Sequence, residues 1–371
     1  MKKYKIGLIG YGGFGTFLRH WWSKMDNIEV AAIAYLDHAP ENAAGCRTYD
    51  DWKNLIGDSG IDIVSIVTPP GLHAEMACAA MRAGKHVLLE KPAAITAESA
   101  RQIIQVQKET GMSITVNHMI RYNPIIQQLK AMGAAGTFGK LRHATVNNYA
   151  QDESLPPGHW FWDEKQSGGI LVEHGVHFFD IIHALSGEQH LEVCGFSHSR
   201  NSGQRDRVAA TVKYDQGLIA SYYHAFSGPG FFEQTTISLA YELARIQIQG
   251  WIPLQGEVTA MVGLSGRQAL ESLPGWKTLS AEELDRIPDA SRPEGWGEDQ
   301  QDLHSRATAA STGQMVSGTF GLSESKGEVY GASVQAILAD LICNIEDSSH
   351  IMAVTLEDAV AALEIALLAT R

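Results

Sequence analysis

Tyr4-Lys5-Ile6-Gly7-Leu8-Ile9-Gly10-Tyr11-Gly12-Gly13-Phe14-Gly15 stands at the start of the chain, and its reading decides the fold class. A short apolar run of β type feeds straight into glycines at 10, 12 and 15, and a helix-like stretch follows. Gly10 permits a tight strand-to-helix turn, Gly12 lets the backbone approach a pyrophosphate, and Gly15 lets the helix pack on the strand. The N-terminus of that helix then offers N–H groups and a partial positive charge to phosphates. Among 36 glycines such a triplet also arises by chance, so its surroundings carry weight. A second β-type run, Val30–Leu36, ends in Asp37, 22 residues after Gly15. A dinucleotide-binding fold places there the carboxylate that holds the adenosine ribose hydroxyls; the plain alternative is a solvated turn residue. A carboxylate repels a ribose phosphate, and His38 rather than an arginine follows, so NAD is favoured over NADP.

The 371 residues exceed what one hydrophobic core usually supports, which predicts two domains. With 44% hydrophobic and 19% charged residues the composition is that of a globular protein. A net charge of −13 argues against nucleic acid or an anionic membrane as partner. Cys46, Cys78, Cys194 and Cys343 are far apart and form no C-x-x-C pair, so they read as buried thiols in a reducing compartment rather than as a disulfide framework or zinc site. Lys2, Lys3 and Lys5 before an uncharged stretch superficially suggest a signal peptide. The glycines between 7 and 15 and the lack of a small-residue cleavage site speak instead for a cytoplasmic protein with no membrane span.

Strand and helix signals alternate through the first third. Ile61–Thr68 is a β-branched run closed by Pro69-Pro70, and His73–Ala83 has helical spacing and stops at Gly84. Lys85–Glu90 is the next strand, Thr96–Thr110 an amphipathic helix closed by Gly111, and Met112–Val116 another strand. This alternation predicts a doubly wound parallel sheet over residues 1–122. From 123 to 371 the pattern changes to a helix, Pro124–Met132, and then strand-like segments at 141–149, 191–196, 208–214, 218–226 and 235–249. Their close spacing predicts an α+β domain with a mostly antiparallel sheet. Residues 263–328, with clustered Gly, Ser, Thr and Pro, are expected to form loops, and helices are expected at 330–345 and 356–370.

Two clusters bear chemistry. Glu90-Lys91-Pro92 lies at the carboxyl end of a strand, where ligands of open α/β sheets bind. A lysine there polarises a reacting oxygen or relays its proton, unless it merely reaches out to water. Gly168-Gly169-Ile170-Leu171-Val172-Glu173-His174-Gly175-Val176-His177-Phe178-Phe179-Asp180 is the second. On a helix, Glu173, His177 and Asp180 share one face, and a carboxylate beside an imidazole suits a general base. A metal site on Glu173, His174 and His177 lacks a fourth ligand, so no metal is expected, and a structural core histidine is the other alternative.

The order and spacing of these motifs resemble the Gfo/Idh/MocA family of sugar and cyclitol oxidoreductases. The resemblance runs through Gly10-x-Gly12-x-x-Gly15, Thr68-Pro69-Pro70-x-x-His73, Ala83–Pro92, Arg121-Tyr122-x-Pro124, Gly168-Gly169, His177, Asp180 and the two closing helices. It implies an N-terminal Rossmann domain and a nicotinamide-dependent enzyme that oxidises a ring hydroxyl or reduces the ketone. Cofactor contacts are implied at Gly10, Gly12, Gly13, Phe14, Gly15, Asp37, Thr68, Pro69, His73, Glu90 and Lys91. Lys91, His177 and Glu173 are implied as catalytic; Lys91, Arg121, Trp162, Glu173, His177 and Asp180 are implied as substrate-facing, with support of the helix as the alternative for Asp180. The family's residue four before the histidine is typically Asp; Glu173 keeps its charge but is one methylene longer, so its bond to His177 is expected to be shifted or replaced by a substrate contact. The aromatic cluster of Tyr149, His159, Trp160, Phe161 and Trp162 suits the faces of a sugar or cyclitol, or else forms core or interface. The absence of an obvious basic cluster there points to an unphosphorylated substrate. A homodimer or homotetramer is implied through the open face of the second sheet. A sensor on the same fold and a glycosidase that uses NAD transiently are the rival readings.

Overall fold

The computed structural model describes residues 2–35, 43–284 and 313–370. Asp37 and the stretch 285–312 therefore lie outside the described residues.

The apolar run at the start becomes β1 (Tyr4–Ile9), and the glycine turn leads into α1 (Gly13–Trp22). Around it form β2 (Ile28–Ala34), β3 (Arg47–Tyr49), α2 (Trp52–Ile56), β4 (Ile63–Ile66), α3 (His73–Arg82), β5 (His86–Leu89), α4 (Ala97–Thr110) and β6 (Ile114–Val116). The six strands are parallel in the order β3-β2-β1-β4-β5-β6. The order reverses between β1 and β4, and ligands of such sheets bind in the crevice at the carboxyl ends of those strands. Ile63, Val64 and Ile66 of β4 and the apolar residues of β5 are fully enclosed, as strands covered by helices on both faces must be.

Beyond α5 (Pro124–Ala134), β7 (Leu141–Gln151) enters a second, nine-stranded sheet. After α6 (Glu164–Ser167) and α7 (Val176–Ser186) come β8 (His190–Asn201), β9 (Gln204–Tyr214), β10 (Ile219–Gly228), β11 (Gln234–Tyr241), β12 (Ala244–Gln249) and β13 (Gln255–Val262). The sheet is antiparallel except for the β7–β10 pair. The run expected as one strand over 235–249 is a hairpin, turned at Glu242-Leu243, where Leu243 N–H donates to Phe138 O.

Residues 263–328 correct the expectation of loops. Their described parts hold α8 (Leu264–Glu271), β14 (Lys277–Glu283) and β15 (Gln314–Gly321), and the two strands extend the sheet at its edge. β14 is exposed on nearly every residue, so it carries none of the apolar alternation by which a strand is read. The chain closes with α9 (Lys326–Glu346) and α10 (Leu356–Ala369), each opened by a capping box, Ser325 with Glu328 and Thr355 with Asp358. Both return to the first sheet: Trp22 of α1 donates to Val334 O, and Thr115 of β6 donates to Val354 O. Among the described residues no helix is long and apolar enough to cross a membrane.

Candidate active site

At Gly10 the backbone has φ +94°, and a Cβ there would lie 2.4 Å from Val67 O, so the turn accepts only glycine. In front of Gly12 and Gly13 a Cβ would meet nothing within 4 Å. α1 begins with no side-chain cap and no acidic residue in its first turn. An open backbone edge at an uncapped helix N-terminus fits a pyrophosphate, which supplies the missing acceptors.

Between the two sheets lies a cleft of about 330 Å³ whose wall includes Phe14, Thr68, Pro69, Glu90, Lys91 and Trp160. Glu173, His174, His177, Trp251 and Tyr330 also line it. The glycine loop and the Glu-Lys-Pro turn thus face one space with residues from the second half of the chain. Glu90 is buried and accepts from Asn117 Nδ2 at 2.5 Å. Burial pushes its carboxyl up to about 7, against the opposing pull of Asn117 and the Lys91 charge.

Lys91 Nζ lies 2.5 Å from Glu173 Oε1 and donates to the backbone oxygen of Glu173 at 2.7 Å. The local backbone explains this double grip. Gly168 and Gly169 both have positive φ, at +77° and +86°, and a Cβ on Gly168 would lie 2.5 Å from Val172 Cγ1. They end α6 and launch a single π-helical turn, Leu171–Gly175, ahead of α7. A π turn departs from the i to i+4 ladder and is a recurrent feature of functional sites. Here it turns both the carbonyl and the carboxylate of Glu173 towards Lys91. The bond expected from Glu173 to His177 is therefore replaced by one to Lys91.

His177 stands at the start of α7 and is 5% exposed. Its Nδ1 is enclosed without a hydrogen-bond partner, so Nε2 is the nitrogen left to the cleft. Burial, reinforced by the Lys91 charge, holds the ring well below the usual histidine range and therefore neutral. His174 is neutral for the same two reasons, pushed down to about 3. A neutral imidazole beside a lysine ammonium can accept a proton from a hydroxyl while the lysine stabilises the resulting oxyanion.

Several residues expected at ligands stand elsewhere, which corrects those expectations. Arg121 donates from Nε to Asp180 Oδ2 at 2.8 Å, and its Nη1 lies 3.0 Å from Asp358 Oδ2. Asp180 is 1% exposed, and neither Arg121 nor Asp180 lines the cleft. His73 is fully enclosed, with its two ring nitrogens against Pro92 O and Thr68 O at 2.7 and 2.9 Å. It ties the turn after β4 to the Glu-Lys-Pro turn from beneath, and burial pushes it down to about 4. Trp162 also stays outside the cleft; its Nε1 donates to Leu155 O and the Arg200 guanidinium covers its ring. Of the aromatic cluster, Trp160 reaches the cleft, Phe161 packs on Phe226, and Tyr149 is exposed beside Tyr223.

Trp251 and Tyr330 were not legible as site residues. Tyr330, in the first turns of α9, sits 5.8 Å from Phe14 and 5.3 Å from Trp251 between ring centroids. Only the return of α9 onto α1 brings these rings together, and no local spacing announces it.

Comparison with known proteins agrees with this geometry. Residues 4–118 match the model described as the oxidoreductase family with an NAD-binding Rossmann fold, and residues 126–242 match the GFO/IDH/MocA C-terminal domain. The chain belongs to the Gfo/Idh/MocA family. Relatives in that family include the 1,5-anhydro-D-fructose reductase of Ensifer adhaerens, 32% identical over 51% of this chain and 58% of the relative. The scyllo-inositol 2-dehydrogenase (NAD(+)) of Bacillus subtilis (strain 168) is 30% identical over 48% of this chain and 53% of the relative. The matched region thus spans little more than half the length of these curated relatives. The fold is shared with a levoglucosan dehydrogenase solved with NADH and L-sorbose, at TM-score 0.74, 20% identity and coverage of 100% of this chain and 96% of that one. GenD2 from gentamicin A biosynthesis, solved with NAD, has TM-score 0.73, 17% identity and coverage of 100% and 94%.

Proposed function

We propose that this Gfo/Idh/MocA member is an NAD-dependent oxidoreductase that moves hydride between the nicotinamide and a ring hydroxyl or ketone of an unphosphorylated sugar, sugar derivative or cyclitol. The observation that carries the reading is the pairing of Lys91, gripped by Glu173, with neutral His177 in one cleft at the carboxyl ends of the parallel strands. The named activities of the two curated relatives support the substrate class.

The glycine loop and the N-terminus of α1 would hold the pyrophosphate, with Phe14, Thr68 and Pro69 on the wall beside it. When bound, the cofactor supplies the hydride acceptor, and the protein contributes orientation and charge. Lys91 Nζ donates to the reacting oxygen and stabilises its negative charge, while the Glu173 carboxylate and carbonyl keep the ammonium aimed. His177 takes the hydroxyl proton on Nε2. Trp160, Trp251 and Tyr330 offer ring faces and exclude water. The same reading makes the protein cytoplasmic, divides it into domains near residue 122, and has copies associate as a homodimer or homotetramer through the open face of the nine-stranded sheet.

The test is NADH formation across a panel of unphosphorylated sugars and cyclitols, with NADP in parallel. Turnover with NAD, and much less with NADP, is the expected result. Sugar release without net NADH would favour a glycosidase instead. Tight NAD binding with neither product would favour a sensor.

A further inference from the structure

We propose that His174, backed by His224, is a second hydroxyl-binding imidazole of the cleft and selects ring substrates with a free hydroxyl next to the reacting carbon. The assignment deepens the dehydrogenase reading and rests on it for which carbon reacts.

His174 follows Glu173 on the π turn and lines the same cleft as Lys91 and His177. Its ring centroid is 6.0 Å from that of His177, with the rings at 79°. Nε2 is enclosed and without a partner, which leaves Nδ1 as the nitrogen open to the cleft. Burial keeps the ring neutral, so it offers one donor and one acceptor.

Simple packing does not account for this residue. His174 lies against Phe178 and Phe226, at 5.6 and 5.1 Å, where an apolar ring would fill the space with no orphan nitrogen. Directly behind it, on β10, His224 is 0% exposed and both of its ring nitrogens are enclosed without partners. The two imidazoles meet edge to face at 5.7 Å and 79°. Enclosing unpaired polar atoms is unfavourable, and here three such nitrogens sit on two touching rings. Of the four nitrogens on the two rings, the Nδ1 of His174 is the one that a ligand in the cleft can engage. His224 is then a positioning residue, because the polarity of the edge-to-face contact depends on which nitrogen of each ring carries its proton.

The reacting hydroxyl has one proton, which goes to His177 Nε2, and one of its two lone pairs faces Lys91. The His174 ring stands 6.0 Å further along the wall between centroids, which places its open nitrogen towards a neighbouring oxygen of the same substrate ring.

Minimal probes test this without knowledge of the natural substrate. The full-length protein saturated with NADH is titrated calorimetrically with cyclohexanol and with cis- and trans-1,2-cyclohexanediol. One diol isomer is expected to bind about tenfold more tightly than cyclohexanol, the size of one neutral hydrogen bond made in a shielded site. In His174→Phe that ratio falls to within about threefold of one, and His174→Gln, which keeps a donor and an acceptor, restores part of it. His224→Phe gives an intermediate ratio. A purely structural role would weaken mono-ol and diol alike and leave the ratio untouched. A ratio of one in the wild type, no binding of either ligand, or an unaltered ratio in His174→Phe overturns the proposal. Binding is read without turnover, so a diol preference in a protein that forms no NADH from any alcohol would sink the dehydrogenase reading alone.

Discussion

His177 and Asp180 are three residues apart on α7, yet they belong to opposite kinds of polar network. At the start of the helix, His177 is neutral, keeps an unpaired Nδ1 and faces the cleft. Further along, Asp180 is a buried carboxylate held by Arg121, which also grips Asp358 at the start of α10 and donates to Ala353 O. His183 extends the second network, with Nε2 3.4 Å from Asp358 Oδ1. Burial would raise Asp358, but the hydrogen bond with His183 and the charge of Arg121 outweigh it and hold the carboxyl well below its usual range. The inner network therefore joins the turn after β6, α7 and the last helix through paired charges. The outer one sets Lys91, Glu173 and the Nε2 of His177 on the wall of the cleft, where a ligand can meet them. The charge pairs that hold the fold lie away from the cleft, whereas the Lys91–Glu173 pair and the neutral His177 stand on its wall.

Removing a charge from the inner network should have the largest effect on folding. Arg121→Ala leaves Asp180 buried without its guanidinium partner and should lower stability by about 3 to 5 kcal/mol in denaturant unfolding. A loss under 1 kcal/mol would break the distinction between the two networks. The cleft carboxyl Glu90 should behave in the reverse sense. Its folded value is raised, so the penalty for ionising it is absent below the unfolded value near 4.5 and grows as pH rises through about 7. Glu90→Gln should therefore leave stability unchanged at pH 4 and raise it by about 3 kcal/mol at pH 8.5. Equal stability of the two proteins across that range would show Glu90 paired as firmly as Asp180. The smallest effect is expected at the π turn. Gly168→Ala strains a backbone with φ +77° and presses on Val172, at about 1 to 3 kcal/mol, and it should also reduce turnover by loosening the grip of Glu173 on Lys91. Lost stability with turnover intact would detach the π turn from the chemistry.

The sequence makes the first sheet legible because glycine turns, β-branched runs and helix stops all act locally. The same holds for Lys91 and His177, each marked by a short motif that fixes its place on one element. Legibility fails where distant segments meet. Tyr330 and Trp251 enter the cleft only through the return of α9 and the β12–β13 turn. Arg121 and Asp180 carry the right charges for a substrate, and only the arrival of Asp358 from α10 shows that they face inward. For Glu173 the reason is local: helical spacing sets it over His177, and the π turn swings it to Lys91. β14 was missed because a strand exposed on both faces has no pattern to read.

The most direct test of the central claim is kcat for His177→Asn with NAD and the best substrate of the panel, normalised to the fraction of protein that binds NADH. Asparagine keeps a polar atom in the pocket but cannot take a proton. A fall of about a thousandfold is expected, with NADH affinity and unfolding midpoint little changed. Turnover within about tenfold of wild type would contradict it, because a proton-accepting role for His177 is worth more than that.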